Sequence, residues 1–102
     1  MKDHHYIFTI GLPNTAELYQ FDSSRSKLLA TDKPYVSLVL TRPLVPHNPI
    51  TEAKVGTRFA SLIVRQYDLS GTMMRQVEYK DVVIVSFNNS APELVLEFIY
   101  KP

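Results

Sequence analysis

The chain contains no cysteine. That absence removes disulfides, thiolate zinc sites and cysteine nucleophiles together, and it leaves the compartment open. Glycine is scarce, at three residues in 102. Gly11, Gly56 and Gly71 cannot make a G-x-G-x-x-G loop, and there is no P-loop and no G-x-S-x-G elbow. So few glycines also argue against a highly curved small barrel, which uses them at its corners. There is no long apolar run. The first thirteen residues, MKDHHYIFTIGLP, hold a short apolar stretch interrupted by Thr9. It is too short for a signal-peptide core and far too short to span a bilayer. The expectation is a protein made in the cytoplasm without a signal peptide.

No sign of charge dominates. Eleven basic and ten acidic residues leave a net charge of +1, unlike the strong basic excess of most nucleic-acid binders. The densest basic cluster, Arg25 to Lys33, carries three positives and Asp32, and a solvated loop accounts for it. An apolar fraction of 45 % with 21 % charged residues is ordinary for one soluble domain. A chain of this size buries roughly 60–70 % of the surface it exposes when unfolded, enough to fold alone.

What is present is β-patterning, and it centres on Thr57 to Phe87. This stretch predicts two long strands joined at Asp68-Leu69-Ser70-Gly71. Asp at the first position and Gly at the fourth suit a type I turn, and Gly71 can take the positive φ that closes the loop. In the second strand Gln76, Glu78 and Lys80 alternate with Val77 and Tyr79, the period of two of a half-buried strand. At Asp81 the rule changes: Val82-Val83-Ile84-Val85 is apolar on both faces, so both need cover. The switch predicts a bulge or bend near Lys80-Asp81.

The remaining elements follow in order. Tyr6 to Leu12 predicts a first strand and Gly11 to Thr15 a turn. Ala16 to Phe21 fits a strand better than a helical turn. Asp22 to Pro34 is polar, with an apolar pair at Leu28-Leu29, and predicts a loop with an anchor. Tyr35 to Thr41 predicts a strand with Val36, Leu38 and Leu40 on one face, halted at Arg42-Pro43 because proline cannot sit in a central ladder. Asn48-Pro49 is a helix-start signal. It predicts one short helix over Ile50 to Val55, closed by Gly56. Asn88 to Pro92 predicts a turn, and Glu93 to Tyr100 a last strand with Leu94, Leu96, Phe98 and Tyr100 on one face. The sum is a single all-β domain over residues 1–102, a small barrel or sandwich with one short helix.

Catalytic constellations do not emerge. His4 and His5, adjacent on an extended chain, point to opposite sides and chelate poorly. His47 stands between prolines, as a surface residue or a helper of the helix start. Glu93 and Glu97 share a strand face and serve solubility more readily than acid–base chemistry. Neither a cofactor nor a metal site is expected. Surplus apolar strand surface is the positive signal: Val82 to Val85, Val36 to Leu40 and the face carrying Val95 and Ile99 exceed what one small sandwich hides. Such surfaces are managed by burial or association, so self-assembly is the expectation. A competing class is a monomeric OB-like module stacking nucleic-acid bases on Tyr6, Phe8, Tyr35, Tyr67 and Tyr79.

From Tyr35 onward the chain resembles the haemolysin-coregulated proteins (Hcp), the tube subunits of type VI secretion systems, whose fold is shared with phage tail tubes. SLVLTRPLVPHNPITEAKVG is similar to the family's strand, proline loop and short helix, with Asn48-Pro49 at the helix opening. SLIVRQYDLSG resembles the next strand and turn. VEYKDVVIVSF resembles the family's Lys-Asp-Val strand at Lys80 to Ser86, and ELVLEF its last strand. Val45 departs from the family, many of whose members have Asp there, and the N-terminal part is reduced.

The resemblance implies a non-enzymatic subunit of a Hcp or tail-tube barrel. It would form a head-to-tail ring, six-membered on the family's pattern, that stacks into a hollow tube. Sheath, spike or baseplate proteins and secreted effectors would be its further partners, with no direct contact to nucleic acid or membrane. An adaptor or baseplate-proximal subunit fits the same likeness. The location implied is export through the apparatus or incorporation in a virion or particle. Arg25, Leu28, Leu29, Val82, Ile84, Val95 and Ile99 are the candidate subunit interface, and Gln76, Glu78 and Lys80 the candidate solvent or lumen face.

Overall fold

The computed structural model describes residues 6–13, 17–27, 34–88 and 94–101. Six strands form: β1 (Ile7–Gly11), β2 (Glu17–Lys27), β3 (Tyr35–Pro43), β4 (Arg58–Tyr67), β5 (Met73–Asn88) and β6 (Leu94–Lys101). All pairings are antiparallel, in the closed order β1-β2-β3-β6-β5-β4. The chain is an all-β barrel. Its interior is packed with the alternating apolar set: Ile10, Val36, Leu38, Leu62, Val82, Ile84, Leu96 and Phe98 are all fully buried.

The barrel closes despite its few glycines, contrary to the expectation from their scarcity: of the register slips in its strands, only the one at Ile10–Gly11 involves a glycine. The bend in β5 sits where the patterning changes. Asp81 is left-handed, with φ 52°, and the β5–β6 register slips between Lys80 and Val83. Val77 and Tyr79 point in before the slip, Val82 and Ile84 after it, so one extra residue reverses the parity. A second slip between Ile84 and Ser86 restores it, and Phe87 packs against the core. The two bulges explain why Val82 to Val85 is apolar throughout: Val82 and Ile84 fill the interior, while Val83 and Val85 face outward.

The β4–β5 turn forms as its residues dictate. Asp68 Oδ1 accepts from the Ser70 and Thr72 amides at 2.9 and 3.0 Å and from the Ser70 hydroxyl at 2.6 Å. The Gly71 amide donates to Asp68 O at 3.0 Å, with Gly71 at φ +92°.

Three further expectations are corrected. The segment 22–27 is not loop but the continuation of β2. Between Asp22 and Lys27 the strand takes five steps against two on β3, and side chains support the surplus. Asp22 accepts from the Ser24 amide and hydroxyl and from Arg25 Nε. The Ser26 hydroxyl donates to Asp22 O at 2.7 Å and accepts from the Val39 amide at 2.9 Å, replacing a ladder carbonyl. Leu28 and Leu29 lie outside the described residues, as do His4, His5 and Glu93.

The short helix over 50–55 is absent. Asn48 does cap, accepting from the Ile50 and Thr51 amides at 2.9 and 3.0 Å. After one turn, however, the Lys54 amide donates to Thr57 Oγ1 and Thr57 returns its amide to Lys54 O, turning the chain into β4. Gly56, at φ +94°, donates to Ile84 O. The segment 44–56 instead plugs one barrel end with Ile50, Ala53 and Val45. β3 also runs past its expected stop to Pro43, where the Leu44 amide makes the next bond, to Leu18 O.

Candidate functional site

Two surface features remain once the core is full: an apolar outer face and an open barrel mouth. The outer face spans β3, β6 and β5. Register places Tyr35 and Val83 beside Ile99, Ser37 and Ser86 beside Glu97, and Val39 and Asn88 beside Val95. Alternation turns these side chains away from the interior. Ile99 is 42 % and Val85 36 % exposed, whereas Val39 is buried. Glu97 lies among them, accepting from the Ser37 hydroxyl at 3.4 Å. The Tyr35 phenol is pushed up to about 12, chiefly by burial and then by its hydrogen bond to Glu97. An outward sheet face on a solvated barrel is ordinarily polar; this one sets Val39, Val83, Val85, Val95 and Ile99 among Tyr35, Ser37, Ser86, Asn88 and a single carboxylate.

The candidate interface residues therefore separate. Val95 and Ile99 belong to this face. Val82 and Ile84, each 0 % exposed, are core and have no surface to offer a neighbour; parity, invisible in a two-sided apolar run, decides this. Arg25 is exposed on the β2 bulge, paired with Asp22 at 3.0 Å, between the β2 residues that pair with Val39 and Ser37 of β3. Gln76, Glu78 and Lys80 are exposed on the first half of β5. The candidate interface set omits Val83 and Val85, which face outward, and a second bulge in β5 decides their side.

The mouth opens at the end opposite the plug. Phe8, Val64, Gln66, Arg75, Val77, Glu78, Tyr79 and Tyr100 enclose about 320 Å³. Tyr79 packs edge-on against Tyr100 and Phe98, with ring centroids 4.7 and 5.5 Å apart. Burial raises the Tyr79 pKa, and Tyr100 adds to the rise. Beside the mouth, on the barrel's outside, the Tyr67 phenol donates to Glu17. That bond is the main reason the Glu17 carboxyl sits below its usual range; Arg65 Nη1, at 3.8 Å, adds to it. Among the described residues no three His, Asp or Glu side chains converge as a metal site would require.

The five aromatics proposed as base-stacking platforms are not one surface. Tyr79 is buried, Phe8 packs against the core, and Tyr67 is tied to Glu17. No family model, curated protein or solved structure matches the chain.

Proposed function

We propose that this chain is a structural subunit that associates with copies of itself through the outer face of β3, β6 and β5. On the Hcp resemblance, it forms head-to-tail rings that stack into the hollow tube of a contractile injection apparatus. The supporting observation is the aliphatic part of the outer face, Val85 and Ile99 exposed with Val83 and Val95 half-buried beside them, on a barrel whose core is already packed. Burial against a second copy removes that surface from water at about 25 cal/mol per Å². A ring requires this face to meet a different surface of the neighbour, because heterologous contacts close by rotation. An adaptor or baseplate-proximal subunit of such a tube uses the same face and the same chemistry. The reading assigns no catalysis and no cofactor to the chain. Electron microscopy of the purified protein tests it: rings or stacked tubes support the proposal, and a uniform field of single barrels at high concentration refutes it.

A further inference from the structure

The centre of the outer face carries one charge. Glu97 sits between Val95 and Ile99 on β6, and register puts Ser37 of β3 and Ser86 of β5 on either side of it. It is half-buried, with Ile99 and Val85 exposed nearby. Its hydrogen-bond partners are neutral: the Ser37 hydroxyl at 3.4 Å and the Tyr35 phenol. That phenol, pushed up to about 12, stays a neutral donor throughout the range in which carboxyl groups titrate.

Among the described residues Glu97 has no ion-pair partner. The cations lie one row out. Lys27 stands beyond Ser37 on β2, and Arg58 beyond Val83 on β4. Lys101 lies further along β6, opposite Lys80 and beside the Asp81 bulge. All four cations are exposed. Asp22, beyond Val39, is held by Arg25. Glu97 therefore has hydroxyls for neighbours and water for its charge.

Covering the face removes that water. A carboxylate taken out of water is disfavoured in its charged form unless a cation meets it, and hydroxyl donors replace hydration only in part. Burial of Val85 and Ile99 is thus opposed by the charge set among them.

We propose that Glu97 limits self-association through this face at neutral pH, and that each contact takes up one proton at Glu97 as it forms. The proposal rests on the self-association reading and adds its regulation. Linkage fixes the sign: a step that binds a proton strengthens as pH falls, by at most about tenfold per pH unit for one proton.

Sedimentation equilibrium of the full chain from pH 5 to 8 at constant salt, for the wild type and Glu97→Gln, tests this. The substitution keeps an acceptor for Ser37 and Tyr35 and removes the charge. A thermal melt at each pH checks that both proteins are folded, and Glu97→Ala repeats the comparison without the amide. Wild-type association should strengthen about tenfold or more between pH 8 and pH 5. At pH 8 Glu97→Gln should associate about tenfold or more tightly than the wild type, with little further change in acid. His4, His5 and His47 are common to all these proteins, so the difference between the series reports Glu97.

Three results overturn the proposal. Equal association constants with the same pH response mean that association leaves Glu97 in water; self-association then stands and its control by Glu97 falls. Association that weakens in acid, and is weaker in Glu97→Gln, means that a cation of the neighbouring copy meets the carboxylate. Wild type and variants that all stay at the mass of one chain remove the self-association reading itself, and this proposal with it.

Discussion

Asn48 is 2 % exposed and is one of two buried polar residues among those described. Its amide nitrogen donates to Val45 O at 2.6 Å and reaches Leu18 O at 3.5 Å, while its oxygen accepts from the Ile50 and Thr51 amides. One side chain therefore ties the plug over the core on which Ile50 sits fully buried. Asn48→Ala removes the capping acceptor, worth about 1 kcal/mol. It also leaves Val45 O and two amides without this partner, at about 1–3 kcal/mol for a buried unsatisfied group. Leu18 O keeps the Leu44 amide. The net expectation is a loss of about 2–4 kcal/mol, a fall in Tm on the order of 10 °C or more for a domain of this size.

Asn48→Asp separates donor from acceptor. The acceptor to Ile50 and Thr51 survives, but a buried carboxylate then faces two carbonyl oxygens, which raises its pKa. Its neutral form is the one the fold tolerates. Asn48→Asp should thus be less stable than Asn48→Ala at pH 7, and its deficit should shrink as pH falls through the carboxyl's raised folded pKa toward its unfolded value. Urea unfolding of both variants from pH 4 to 8 measures this. A loss under about 0.5 kcal/mol for Asn48→Ala, within the range of an ordinary surface change, refutes the tethering role. So does an Asn48→Asp deficit that does not vary with pH.

Asp81, at φ 52°, should accept glycine with little change, since relief of left-handed strain offsets glycine's backbone entropy of about 0.5–1 kcal/mol. Asp81→Val should lose about 1–2 kcal/mol by urea melts; equal stability of all three residues would contradict the left-handed bulge. Tyr67→Phe removes the donor that holds the Glu17 pKa below its ordinary 4.5. A depressed carboxyl contributes stability above its unfolded pKa and loses it as pH falls through the folded value. The gap between wild type and Tyr67→Phe should therefore narrow in acid, as thermal melts from pH 2 to 7 would show.

The β4–β5 hairpin was the most legible part, because its turn and its alternation are both local. The bend at Lys80-Asp81 was legible too, as a break in parity. Which half of Val82 to Val85 faces outward was not, since a run apolar at every position looks the same in either register. β2 was cut short because Asp22-Ser-Ser-Arg-Ser-Lys27 has loop composition, yet Ser26 and Asp22 supply hydrogen bonds that the backbone ladder lacks there. The helix over 50–55 was expected from a real cap at Asn48; the competing Lys54–Thr57 bonds span a turn that propensity alone does not weigh.

Self-association through the outer face is tested most directly by mass in solution. Light scattering of the wild type across a wide concentration range should show an oligomer several times the 11.7 kDa chain. Val85→Asp combined with Ile99→Asp, both at exposed positions, should give a folded monomer with the wild-type circular dichroism spectrum. A wild type that stays at the mass of one chain at the highest concentration would contradict the assembly proposal, as would a double variant with an undiminished oligomer.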